Sequence, residues 1–77
     1  IPPEYRKEII DTGIINNAVA AAGDPGMHYL GTIWKNYIAP DENLDCGLCL
    51  ERVLSNFRNM AQDLVDLERE YQLMKSV

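Results

Sequence analysis

Apolar residues recur along this chain at three- and four-residue intervals, and no stretch alternates in the period-two manner of a strand. The pattern predicts an all-α domain: a small bundle of three short helices and one long C-terminal helix with a heptad repeat. One domain spans residues 1–77, with the short helices in 1–40 and the long one in 46–75.

Pro2-Pro3-Glu4 opens the first helix, because proline fits the first turn and the helix dipole favours an anion there. From Pro3 to about Asp11 the helix sets Tyr5, Ile9 and Ile10 on one face, and Thr12-Gly13 ends it. The small apolar run Ile14 to Ala22 then predicts a short, well-buried helix, since alanine favours helix and admits a close neighbour. Gly23-Asp24-Pro25-Gly26 separates it from the third helix, with Asp24 as N-cap and Pro25 at the first helical position. Met27, Leu30, Ile33, Trp34, Tyr37 and Ile38 form its apolar stripe, and Ala39-Pro40 stops it. Asp41 to Asp45 is an acidic loop, with Asp45 placed to cap the last helix.

The last helix carries Leu50, Val53, Phe57, Met60, Leu64, Leu67, Tyr71 and Met74, whose gaps alternate three and four without a slip. These are the a and d positions of a heptad repeat. No Gly or Pro falls between Leu48 and Val77, so a helix from about Cys46 to Met74 would run about 43 Å at 1.5 Å per residue. Its first half is expected to bury Leu50, Val53, Leu54 and Phe57 against Leu30, Ile33, Trp34, Tyr37 and Ile38.

Two readings of the second half compete. An amphipathic helix ordinarily turns its apolar face to its own core. The period here is 3.5 residues, however, where a straight helix drifts by about 20° per heptad. The first two helices, with roughly nine residues each, are also short for covering it. The expectation is therefore that Met60, Leu64, Leu67, Tyr71 and Met74 form an interface with a second copy of the chain or with a partner helix. Phe57 and Tyr71 at a positions favour a broader bundle over a two-stranded coil. Asp63 and Glu70 at g, with Glu68 and Lys75 at e, offer only a few mixed charge pairs, and Arg69 with Asp66 lies on the outer face.

Composition narrows the function classes. Twelve acidic and seven basic side chains give a net charge of −5, the wrong sign for conventional nucleic-acid binding. A hydrophobic fraction of 47% is too high for a disordered chain, and the longest apolar run, Ala18 to Ala22, is too short to span a membrane. The chain opens at Ile1 instead of Met, which reads as a processed or trimmed start, and no signal-peptide pattern is visible. Two cysteines do not make the framework of a small secreted domain, so a reducing, cytoplasmic setting is expected.

Cys46-Gly47-Leu48-Cys49 admits three readings at a helix start. The pair would act as a redox dithiol, though such motifs stand beside a strand and no strand pattern exists here. It would supply two of the four ligands of a structural zinc, with His28 the lone histidine, Asp45 a possible carboxylate, or a second chain providing the rest. Or both cysteines are small buried hydrophobes where the last helix packs on the third, the reading favoured by the flanking Leu48 and Leu50. No cofactor is otherwise expected.

His28 lacks a nucleophile or a second histidine nearby and reads as a surface or boundary residue. The acid pairs Glu4 with Glu8 and Asp66 with Glu70 read as solvated faces. No phosphate-binding glycine loop, serine elbow or zincin pattern occurs, so no catalytic residue is assigned and enzymatic activity is not expected. The acidic clusters Asp41-Glu42-Asp45 and Asp63-Asp66-Glu68-Glu70 allow an alternative, an inhibitor that occupies the basic groove of a nucleic-acid enzyme.

From Trp34 through Ile38 and Pro40 to Cys46-Gly47-Leu48-Cys49, Val53-Leu54 and Phe57, the chain resembles small uncharacterised proteins of bacteriophages and related mobile elements. They share a tryptophan-bearing helix, a polar loop with a proline, a CxxC and a helix that starts with aliphatic residues. The resemblance covers about residues 30 to 60. It implies an accessory or virion component and brings no catalytic residues. The expected function is structural or adaptor-like, with affinity supplied by the apolar seam.

Overall fold

In the computed structural model, residues 1–76 are described and contain four helices: α1 Pro3–Thr12, α2 Ile14–Asn17, α3 Pro25–Tyr37 and α4 Gly47–Lys75. No strand occurs among them, so the all-α bundle with a long last helix is as the periodicity requires. Helices α1, α2 and α3 each pack on α4, whose length sets the 45 Å long axis of the molecule.

Local chemistry fixes the joints. Gly13 ends α1 in the left-handed conformation, φ 63°, and its N–H bonds to the Ile10 carbonyl. A side chain there would crowd the backbone, which is why glycine allows α2 to restart in a new direction after a single residue. The Asp24 carboxylate caps α3 by accepting from Met27 N at 2.9 Å. Gly31 serves a different end: a Cβ there would stand 2.9 Å from Leu44 Cδ1, so its absence lets the acidic loop lie down on α3.

The second helix is shorter than the alanine run predicts. It stops at Asn17, and Ala18 is extended (ψ 148°). Two sets of hydrogen bonds outcompete continued helix. Arg58 on α4 donates to the Ile15 carbonyl through Nε at 3.4 Å and to the Ala18 carbonyl through Nη2 at 3.2 Å. The Asp24 carboxylate, besides capping α3, accepts from Val19 N at 3.1 Å. Backbone groups that helix would have satisfied are satisfied by side chains. Ala21 and Ala22 are exposed, so the well-buried helix over 14–22 reduces to one turn plus a loop.

The core gathers Ile9 from α1, Ile15 and Ala18 from and just after α2, Met27, Leu30, Ile33 and Trp34 from α3, and Leu50, Val53, Leu54, Phe57 and Leu64 from α4. Trp34 and Phe57 meet edge to face with centroids 5.7 Å apart, the aromatic contact that joins α3 to α4. No charged or polar residue is buried among the described residues, although the indole Nε1 of Trp34 is buried without a partner. Tyr37 and Ile38, expected in this core, are exposed. The stripe of α3 turns away from α4 in its last turn, and Tyr37 leans on Tyr5 of α1 at 5.8 Å instead.

No helix among the described residues is long and apolar enough to cross a membrane.

Candidate functional site

The seam of α4 divides into a covered part and an open part. Leu50, Val53 and Phe57 are buried by α3 and its surroundings, and the cover continues further than the short helices suggest. Helix α1 runs along the second half of α4, with Ile9 and Ile10 near Ala61, Leu64 and Val65, and Pro3 and Glu4 near Tyr71 and Lys75. Leu64 is consequently 5% exposed and belongs to the core, which removes it from the predicted interface set. Met60 is half-buried against the core. The open part holds Leu67, 50% exposed, and Met74, 70% exposed, with Leu73 beside them.

Tyr71 lies between these parts. Its ring has Arg6 of α1 and Lys75 of α4 each 5.4 Å from the centroid, and Arg6 Nε also donates to Glu68 Oε2 at 3.1 Å. Both members of that ion pair are mostly shielded, so it fastens α1 to α4 more firmly than an exposed pair would. Glu68 and Tyr71, expected to face a partner, are thus engaged within the subunit. Helical geometry then places Met60, Leu67 and Met74, seven residues apart, in one line, with the carboxylates of Asp63 and Glu70 along its free edge.

Gln72 Nε2 donates to Glu68 Oε1 at 2.9 Å. That hydrogen bond, then the Arg6 hydrogen bond and the Arg6 and Lys7 charges, outweigh burial and hold the Glu68 carboxyl below its ordinary range. A carboxyl depressed in the folded state contributes stability that is complete above the unfolded pKa of about 4.3 and disappears as pH falls through the lower folded value. Urea midpoints measured between about pH 6 and pH 2.5 are therefore expected to fall less steeply for Glu68→Gln than for the native chain. Equal slopes would mean that the carboxylate does not help to hold the helices together.

At the opposite end of α4, Cys46 and Cys49 form a disulfide. Cys46 also takes the capping role expected of Asp45, its Sγ accepting from Cys49 N at 3.1 Å. Cys46 is exposed and Cys49 half-buried, so the pair is not packed between α3 and α4 as free thiols. The preceding loop is seated on α3 where Leu44 meets Gly31.

A groove of about 340 Å³ lies alongside, lined by Met27, His28, Gly31, Lys35, Leu44, Asp45 and Leu50 among others. His28 is exposed on its wall. No group of three or more His, Cys, Asp or Glu side chains is gathered for a metal among the described residues, and in the disulfide neither sulfur is a free thiolate. Arg6, Arg58 and the α1 cover were not readable from spacing, because each acts across forty or more residues of chain.

No protein family, curated protein or solved structure matches the chain.

Proposed function

We propose that the protein is a non-catalytic interaction module that docks an amphipathic helix of a partner along the Met60–Leu67–Met74 line of α4. The observation that carries this reading is that the cover supplied by α1 leaves one edge of the seam open, with Leu67 and Met74 in water. Large apolar side chains in register on a rigid helix are what a helix-in-groove contact uses.

Charge favours a different protein over a second copy as the occupant. Two copies side by side would add their −5 charges. In an antiparallel pair the g positions face each other, which would set Asp63 and Glu70 against the same carboxylates. A helix with leucines on one face and Lys or Arg beside them meets both the line and its acidic edge. The line from half-buried Met60 to Met74 is about 21 Å long at 1.5 Å per residue, which suits a transient contact. An accessory role in a phage or mobile element would employ such a surface, and that assignment rests on the resemblance over residues 30–60.

The test combines sedimentation of the chain alone with titration of a helical peptide bearing a leucine stripe edged by lysines. The native chain should sediment as a monomer at micromolar concentration. The peptide should perturb the NMR signals of Met60, Asp63, Leu67, Glu70 and Met74, and Leu67→Asp with Met74→Asp should abolish the effect while keeping the helical spectrum. Absence of binding near millimolar peptide, or binding that survives the double variant, would refute the proposal. Self-association that the double variant removes would assign the line to a second copy instead.

A further inference from the structure

We propose that the Cys46–Cys49 disulfide is a thiol–disulfide exchange site that reacts at Cys46 and selects neutral or cationic thiols over anionic ones. Four features of the molecule carry this. The disulfide stands at the start of α4 on the outside of the bundle, with Cys46 exposed and Cys49 half-buried. Leu48, between the cysteines, is 78% exposed, so the approach to Cys46 is not roofed by neighbouring side chains. The Cys49 N–H already points at Cys46 Sγ from 3.1 Å. Finally, Asp41, Glu42, Asp45 and Glu51 crowd this end of the chain and outnumber its cations, Arg52, which is paired with Glu42 at 3.1 Å, and Lys35, which lines the adjoining groove with Asp45.

The exchange proceeds as two displacements. A thiolate RS⁻ attacks Cys46 Sγ, the more accessible sulfur. The RS–Cys46 bond forms as the Cys46–Cys49 bond breaks, and Cys49 leaves with the electron pair as a thiolate. A second RS⁻ attacks the R-bearing sulfur of the mixed disulfide, giving RSSR and the Cys46 thiolate. Two thiols are oxidised and the protein disulfide gains two electrons. Protons from solvent complete the dithiol. The Cys49 N–H and the positive end of the α4 dipole face Cys46 Sγ in the product, which favours its thiolate and so makes the second step a good departure. The reverse reaction closes the disulfide, with Cys49 attacking a mixed disulfide held on Cys46.

Selection follows from the carboxylates. An approaching thiolate feels their summed field, which a positive group on the same small molecule offsets and a second negative group worsens. Cysteamine, mercaptoethanol and mercaptopropionate are nearly equal in size and differ in that one charge and in the thiol pKa it sets, so each thiolate is referred to its own rate with an uncharged small disulfide.

The full chain, purified without reductant, should have an intact mass lighter by two hydrogens than after reduction. At low salt, the rate at which each thiolate reduces the folded protein, divided by its rate with an uncharged small disulfide, should be highest for cysteamine and lowest for mercaptopropionate, with about a fivefold spread that narrows to less than about twofold in 1 M salt. Cys49→Ser exposed to cystamine should trap a mixed disulfide on Cys46, whereas the thiol of Cys46→Ser should react at least about tenfold more slowly. The proposal is overturned by a natively purified chain without the disulfide, by reduction that requires unfolding in denaturant, or by rates that ignore thiol charge. Because the wild-type kinetics need no variant, a misfolded cysteine mutant leaves the result decidable.

Discussion

Phe57→Ala is expected to leave the chain at the edge of folding. Phe57 is fully buried in the middle of α4, and its ring is the surface on which Trp34 of α3 rests. Truncating a buried phenylalanine to alanine removes about 3–5 kcal/mol, the sum of lost transfer energy and of the cavity left behind. A chain of 77 residues has a total stability of about 4–12 kcal/mol. The loss is therefore comparable to the whole at the low end and roughly a third of it at the high end. Trp34 is the lone tryptophan, so its fluorescence reports this contact directly. In urea, the midpoint should drop far while the slope keeps its value. A loss below about 1 kcal/mol would show that α3 is held to α4 by something other than this ring pair.

Leu64 and Leu67 provide the second large effect, and its value lies in the contrast. They stand three residues apart on one helix, are the same residue type and occupy adjacent seam positions. One is 5% exposed beneath α1 and α2, the other 50% exposed. Leu64→Ala should cost about 2–4 kcal/mol in urea unfolding, whereas Leu67→Ala should stay within about 1 kcal/mol. The near neighbours of Leu64 are Ile9, Ile15 and Ala61, so its removal also loosens α1 and α2 from α4. Equal and small losses would mean that α1 does not lie on the second half of α4 in solution.

The helices with strong punctuation were legible in the residues. Pro3 with Gly13, Asp24 with Pro25, and the uninterrupted repeat after Cys46 bound α1, α3 and α4 to within a residue or two, because caps and stops are local chemistry. The alanine run was not, since what ended α2 was an arginine forty residues away and a carboxylate with two amides to satisfy. The heptad seam shows the same limit in the candidate surface. Its spacing identified which side chains form a stripe but not what lies on that stripe. Whether α1 reaches Leu64 depends on the turn at Gly13 and on Arg6 finding Glu68, which no period encodes. Leu67 and Met74 emerged as exposed, and Leu64, Glu68 and Tyr71 did not. The CxxC was visible as a pair at a helix start, yet its state as an exposed disulfide was not, because the spacing alone fits a dithiol, two metal ligands or two buried thiols equally.

Because α1 lies along the far half of α4, Pro3 and Glu4 sit beside Tyr71, Gln72 and Lys75, bringing the beginning of the first helix and the last turn of the fourth to one pole of the molecule. Polypeptide extending past either end would depart from the same spot, so the unit has the anatomy of a cassette that can be spliced into a surface loop of a host domain, or re-cut with joined ends, without disturbing its interior.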